Sequence, residues 1–550
     1  MTSSPTNVAS LNKVELLKQQ KDGYDALQDL LRYSEAGDYD AVPKDDFSLF
    51  RWFGVYQQRP NNGHFMLRVK IPGGQLLPRQ LRAIARFTDD RARGFGDITT
   101  RQDIQLHWLT IGDIKPIFDE LARVGMTTQF ACGDTPRNIV SCPLAGVLKD
   151  EIIDTSGITR AVSDMFLAGG HEFSNLPRKF KGAIGGCRLH CHQPQINCWG
   201  LYGVERPGGE VGFGLLVGGG LSDTPHYAQP LRAFVRPDQV LDVARAIAIL
   251  FRDYGYREKR GRARLKFLVA DKGWQWTRDT LEQILGYQLE HDETLLHPPA
   301  VHSDHVGIGE QKDGRCYVGV PIERGRFTAR NMRDIADLAD RFATGDKRIR
   351  LTGKQNVIIL DVPRSNVEEL TKALTDAGLS PHAHRLRHTL ISCTGSQFCN
   401  LAVVETKQRA GAILRYLEQH TALDVPIFIS VTGCPNSCAQ YQIADIGLTG
   451  IPVVDKTRTD EKGRPLKVDG FKVLLGGCLG TNPRFGEMIV KKVPADRVHL
   501  SIRNLIEHYL AERIDEDETF PMWCARSEPE YLQKLIEEPV NAEEAVALPV

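Results

Sequence analysis

The feature that most constrains this fold is an internal repeat. The segments HFMLRVKIPGG, PRQLRAIARFTDD, DITTRQDIQLHWL and DIKPIFDELARVG run from His64 to Gly125. They return in the same order as RCYVGVPIERGR, ARNMRDIADLADRF, RIRLTGKQNVIILDV and NVEELTKALTDAG. Each set reads as strand, amphipathic helix, alternating strand and second helix. Such a unit buries its apolar face only by packing on its copy, so the repeat predicts two related halves about a pseudo-twofold axis.

The correspondence extends further. GDTPRNIVSCPLAG falls against LRHTLISCTGSQFC, which sets Cys142 opposite Cys393. VGFGLLVGGGLS echoes FKVLLGGCLG. The halves also differ. Arg68 stands opposite Gly319, and Cys399, Cys434 and Cys438 have no clear counterparts in the first half. On this reading the first half keeps anion binding and the second keeps a metal. Cys142 is then a remnant of the symmetry, a core thiol rather than a ligand.

Composition narrows the field. Lys+Arg and Asp+Glu both number 69, so no global charge steers the chain to nucleic acid or to a membrane surface. No apolar run is long enough to span a bilayer. The opening MTSSPTNVASLNKVELLKQQ lacks the apolar core of a secretory signal. A cytoplasmic protein is expected. There, 12 cysteines in 550 residues suit reduced thiols and metal ligation better than a disulfide framework.

Four thiols arrive in two tight pairs, Cys393-Thr-Gly-Ser-Gln-Phe-Cys399 and Gly433-Cys434-Pro-Asn-Ser-Cys438. Thiolates are soft ligands, and four of them suit an iron–sulfur cluster or zinc. The spacing is not the usual zinc pattern. Val425–Val431 reads as a buried strand ending in Thr-Gly, which places the second pair on the loop that follows it.

The block CTGSQFC…VTGCPNSCAQYQIADIGLTG resembles the signature of the assimilatory sulfite/nitrite reductase family, closest to its ferredoxin-dependent sulfite reductases. The resemblance implies that Cys393, Cys399, Cys434 and Cys438 hold a 4Fe-4S cluster, with Cys438 also the axial thiolate of a sirohaem iron. It further implies an anion pocket of Arg68, Arg137, Lys179 and Lys181, and cofactor contacts from Arg101, Gln105 and His107. Taken singly, each of these cations is more simply a solvated surface charge; their order and local sequence together carry the implication. Lys179-Phe-Lys181 on a strand would point both ammoniums to one face. Nitrite-selective members of the family tend to carry Asn at the second of these positions, so Lys181 favours sulfite.

The fold so implied is α+β, internally duplicated, with pseudo-twofold halves of mixed and antiparallel sheets, flanking helices and cofactors at the interface. The expected parts are an N-terminal wrapping segment (1–58), a ferredoxin-like half-domain (59–148), a sirohaem/substrate-binding domain (149–300), a second ferredoxin-like half-domain (301–380), and a 4Fe-4S and sirohaem-binding domain with a C-terminal tail (381–550). The activity implied is six-electron reduction of sulfite to sulfide. The alternatives are nitrite reduction to ammonia, a non-enzymatic iron–sulfur carrier, and a structural zinc protein. Four basic positions argue against a carrier, which needs no anion pocket. A monomer is the simplest state.

GCRLHCHQPQINC (Cys187 to Cys198) mimics a metal motif, but the family runs a strand through the core here, so core thiols are expected. Leu216–Ser222 lacks the dinucleotide-binding spacing and reads as close backbone approach to a cofactor or cluster. With no flavin or nicotinamide module visible, electrons come from a separate donor, ferredoxin or a flavoprotein. The basic run Arg257–Lys266 reads first as a solvated helix face, and secondly as a contact for cofactor carboxylates or an acidic carrier. Cys132 is left open between a free thiol, an oxidised one and a link to Tyr56.

Overall fold

The computed structural model describes residues 11–299, 305–459 and 461–538. The first ten residues of the expected wrapping segment, the boundary at 300/301 and the last residues of the tail lie outside the described part. The chain forms two compact units. One comprises Met1–Gly220, His226–Val320 and Phe327–Pro381; the other comprises Leu221–Pro225, Pro321–Arg326 and His382–Val550. No described helix is long and apolar enough to cross a membrane.

The repeat of the sequence is a repeat of structure. In the first unit, strand Phe65–Val69, helix Pro78–Asp90, strands Phe95–Ile98 and Ile104–Leu109 and helix Ile114–Arg123 form one half-domain. Strand Cys316–Val320, helix Ala329–Phe342, strands Ile349–Leu351 and Val357–Val362 and helix Val367–Asp376 form the other. Each sheet is antiparallel and takes its edge strand from the other copy. Gln75–Leu76 of the first pairs with Ile349–Leu351, and Arg326–Thr328 completes the sheet of the first half.

The exchange is locked by a reciprocal pair of amides. Gln102 Nε2 donates to Leu351 O at 2.9 Å, and Gln355 Nε2 donates to Ile98 O at 2.7 Å. Both side chains are buried and occupy the same position in their repeat. Helices Pro78–Asp90 and Ala329–Phe342 pack together, with Arg82 against Asp337 and Asp340, and Arg333 against Asp89.

The remainder of the first unit is a second sheet. Its strands Val140–Ser141, Gly182–Gly185 and Trp199–Glu205 are mutually parallel; Val211–Val217, Gln229–Val235 and Glu290–His291 continue it antiparallel. The second unit repeats this plan. Leu390–Ser392, Ile429–Thr432 and Ile446–Thr459 are parallel, and Pro465–Leu475 and Glu487–Pro494 follow antiparallel. Helices Lys407–His420, Val498–Glu512 and Pro529–Glu537 cover this sheet and bury Leu414, Leu417, Leu505 and Trp523 in its core.

The N-terminal segment folds as helices Lys13–Gln20 and Ala26–Ala36 and is tied down by buried charge. Lys18 Nζ lies 2.5 Å from Glu15 and 3.8 Å from Asp134, and donates to Leu176 O at 2.9 Å. Arg257 closes the group on Glu15 at 2.8 Å. The basic run is therefore not one solvated face. Arg260 is forked onto Asp134 at 2.5 and 2.8 Å, and Arg264 and Lys266 are buried. The helix begins only at Leu265, so periodicity could not assign these cations to one side. The glycine-rich stretch makes a close backbone approach to the protein's own chain. A Cβ on Gly219 would stand 2.5 Å from the carbonyl oxygens of Gln195 and Asn197.

Candidate active site

Three neighbouring extended segments of the first unit carry the predicted basic residues. The first is strand Phe65–Val69, where Arg68 pairs in register with Gln105, which in turn pairs with Asp97. These three side chains share one face, since directly opposed residues on adjacent strands point the same way. Arg68 Nη2 donates to Gln105 Oε1 at 2.7 Å. In the second half Gly319 takes this position. A Cβ there would stand 2.0 Å from the carbonyl oxygen of His305, so no side chain is admitted.

The second segment is Thr135–Asn138. Arg137 is buried, and its Nε and Nη2 donate to Gly133 O at 3.0 and 2.7 Å. Its Nη1 donates to Ala131 O at 3.3 Å, and Arg68 Nη1 reaches the same oxygen at 3.5 Å. The third segment is Lys179-Phe180-Lys181. Phe180 bridges Pro136 in parallel, with Arg137 N donating to Phe180 O at 2.7 Å. Phe180 is buried while the flanking lysines are half-buried, so both ammoniums leave the core on one side.

Arg101 and His107 are placed differently. Arg101 is a strap: it donates to Asn197 Oδ1 at 2.7 Å, to Gly182 O at 3.2 Å and to Asn138 O. Burial holds its pKa down, to about 10. His107 is fully buried, with Nε2 3.3 Å from Asp97 Oδ2.

Sequence reasoning passed over Lys70 and Asp103, and took Arg264 only as part of the basic run Arg257–Lys266. Lys70 is two residues beyond Arg68 and points the same way, with Nζ 3.4 Å from Pro136 O; burial pushes its pKa down to about 7. Asp103 accepts from Ile71 N at 3.2 Å and is raised by burial to about 6. Arg264 donates to Cys198 Sγ at 3.5 Å. The alternation of FMLRVK carried a signal for Lys70; nothing local marked Asp103. Tyr56 lies in the field of Cys132, Arg137 and Arg68, and its burial raises its pKa.

In the second unit, Cys393 follows strand Leu390–Ser392, and Cys434 and Cys438 follow strand Ile429–Thr432. Donors face these sulfurs. Gly433 N reaches Cys393 Sγ at 3.2 Å, Thr406 Oγ1 lies 3.7 Å from it, and Asn436 Nδ2 reaches Cys434 Sγ at 3.6 Å. Burial and then the neighbouring Cys438 push the Cys393 thiol up to about 12. Burial raises Cys434 too, with Cys438 and Cys399 adding to it. Cys438 is thus near Cys393 and Cys434, and Cys399 is near Cys434. No three of them bring their sulfurs within 4.8 Å of one another. That is wider than the roughly 3.8 Å edge of a single-zinc tetrahedron, which follows from Zn–S of about 2.3 Å. Four spread thiols with N–H and O–H donors aimed at sulfur fit a multi-iron cluster.

Comparisons with known proteins give the family. The nitrite and sulphite reductase 4Fe-4S domain matches residues 132–289 and 385–541. The nitrite/sulfite reductase ferredoxin-like half domain matches 56–124 and 309–377. The chain belongs to the nitrite/sulfite reductase family and is an oxidoreductase of that family, whose cofactors are a 4Fe-4S cluster and sirohaem. It is 37% identical to the assimilatory ferredoxin-dependent nitrite reductase of Haloferax mediterranei, over 93% of this chain and 91% of that one. It is also 37% identical to sulfite reductase [ferredoxin] 2 of Mycolicibacterium paratuberculosis, over 91% and 92%. The solved structure of the Mycobacterium tuberculosis NirA protein superposes with a TM-score of 0.88 at 35% identity, covering 95% of this chain and 97% of that one.

The first unit also fits a cofactor bearing many carboxylates. Arg101 Nε and Arg264 Nε are buried without an acceptor among the described atoms. An unpaired buried donor is costly, and an anionic cofactor would satisfy both.

Proposed function

We propose that this chain reduces sulfite to sulfide, taking electrons one at a time from reduced ferredoxin. The observation that carries the reading is the side-by-side run of Thr135–Asn138 and Lys179–Lys181, which sets Arg137 beside two half-buried lysines. Cys393, Cys399, Cys434 and Cys438 would hold the cluster, and sirohaem, when bound, would supply the metal at which the anion is reduced. Arg68 and Arg137 carry fixed positive charge and forked N–H donors, which suit a trigonal oxyanion. Lys179 and Lys181 hold protons at Nζ on a flexible stem and deliver them as oxygen leaves as water. Arg101 and Gln105 position the cofactor through the strands they tie together. The cytoplasm is the proposed compartment, because free thiols and a strongly reducing donor persist there.

Lys181 supports sulfite over nitrite. A doubly charged anion gains more from a second ammonium than a singly charged one does. Nitrite is the second reading, favoured by the name of the Haloferax relative. Steady-state kinetics of the holoenzyme with both anions tests the choice. A higher kcat/KM for sulfite with ferredoxin as donor is expected. A higher value for nitrite overturns the substrate, and turnover only with a flavoprotein overturns the donor.

A further inference from the structure

Cys142 does not stand alone. Cys142, Cys187 and Cys191 bring their sulfurs within 4.8 Å of one another, the only such group of metal-ligating side chains among the described residues. We propose that these three thiolates form a second metal site, for a single zinc-class ion.

Topology gives the first argument. Cys142 directly follows strand Val140–Ser141, as Cys393 follows Leu390–Ser392. Gly186-Cys187-x3-Cys191 follows strand Gly182–Gly185, as Gly433-Cys434-x3-Cys438 follows Ile429–Thr432. In both units these strands are parallel neighbours, so the strand ends bring the same three positions together. The expectation that Cys434 and Cys438 lack counterparts is thereby corrected. Three of four thiols persist in the first unit, and Leu148 stands where the count from Cys142 would place the fourth.

Geometry decides what such a site would hold. An edge under 4.8 Å accommodates the roughly 3.8 Å sulfur separation around one zinc. A cubane cluster holds its ligand sulfurs farther apart, as the wider quartet of the second unit does. The trio, one thiol short of the quartet, has the spacing of a single-ion site.

The surroundings supply a shell and a fourth donor. Leu144, Val147, Ile358 and Leu360 pack around Cys142 and Cys187, each of which is 2% exposed. Such a shell excludes competing water and favours soft ligation. His192, next to Cys191, has Nε2 3.0 Å from Leu201 O. A donor bond there leaves a lone pair on Nδ1, which is buried with no hydrogen-bond partner among the described residues. His192 is outside the 4.8 Å group as it stands, so it or a water completes the tetrahedron.

The test is metal analysis of the purified holoenzyme and its variants, by inductively coupled plasma mass spectrometry. About one zinc per chain is expected in the wild type, with the iron content of cluster and sirohaem beside it. Zinc should be lost from Cys187→Ser and Cys191→Ser with iron retained, and kept by Cys434→Ser. Three outcomes overturn the site: zinc that follows Cys434 instead, iron lost with Cys187, or no zinc even after incubation with zinc chloride. A disulfide among the three cysteines in the intact mass overturns it as well. Should the variants not fold, the wild type decides. Exchange with cobalt(II) must give thiolate-to-cobalt charge-transfer bands beyond those of the native chromophores, and their absence refutes the proposal.

Discussion

Arg68 and Arg137, about seventy residues apart in sequence, donate to one carbonyl oxygen, that of Ala131, at 3.5 and 3.3 Å. Two guanidiniums on a single acceptor repel each other, and an anion beside them relieves the repulsion. A charge-assisted hydrogen bond is worth about 1.5–3 kcal/mol, so Arg137→Lys should lower kcat/KM for sulfite by roughly 10- to 150-fold. Arg137→Lys with unchanged kinetics would remove Arg137 from the pocket.

Lys181→Asn should shift selectivity towards nitrite. The ratio of the two kcat/KM values is the quantity to measure, because a general loss of activity cancels from it. An unaltered ratio would mean that Lys181 is not the discriminator.

Cys434→Ser should abolish the cluster, since the hard serine oxygen replaces a soft thiolate whose sulfur already has the Asn436 donor in place. Loss of cluster absorbance, of cluster iron and of ferredoxin-driven turnover is expected together. Iron at the wild-type level would contradict the assignment.

Lys70 makes stability rise with pH. Burial holds its pKa at about 7 in the folded chain against an ordinary 10.5. Between those values the unfolded chain binds more protons, so unfolding becomes harder as pH rises, by at most about 1.4 kcal/mol per unit from this group. Lys70→Gln removes the effect. Urea unfolding at pH 7, 8 and 9 should show the wild type gaining on the variant at each step, and parallel curves would refute it.

Gln102→Ala and Gln355→Ala should each cost about 1–3 kcal/mol, because each leaves a buried carbonyl, Leu351 O or Ile98 O, without its donor. The symmetry of the pair predicts similar losses, which thermal unfolding of the two variants would compare. A large loss in one and none in the other would show that the exchanged edge strands do not share the load.

Local pattern carried a great deal here. Strand and helix periodicity in Phe65–Val69 and Pro78–Asp90 repeats in Cys316–Val320 and Ala329–Phe342 with apolar residues at matching offsets. Side-chain alternation and amphipathicity are properties of neighbours in the chain, so the two half-domains were legible before any contact was known. The paired cysteines were legible for the same reason, because a short loop after a strand delivers two thiols to one place. What sequence could not decide were the encounters between distant segments. Arg264 and Lys266 sit in a basic run that reads as solvated, yet they are buried beside Cys198 and Gly220. Arg101 resembles a cofactor ligand, and only the fold shows that its guanidinium also ties Asn138, Gly182 and Asn197 together. The Cys142, Cys187 and Cys191 trio depends on the parallel pairing of Val140–Ser141 with Gly182–Gly185. That pairing joins residues some forty positions apart and leaves no periodic trace in the chain, so only the tertiary structure could turn a stray core thiol and a zinc mimic into one site.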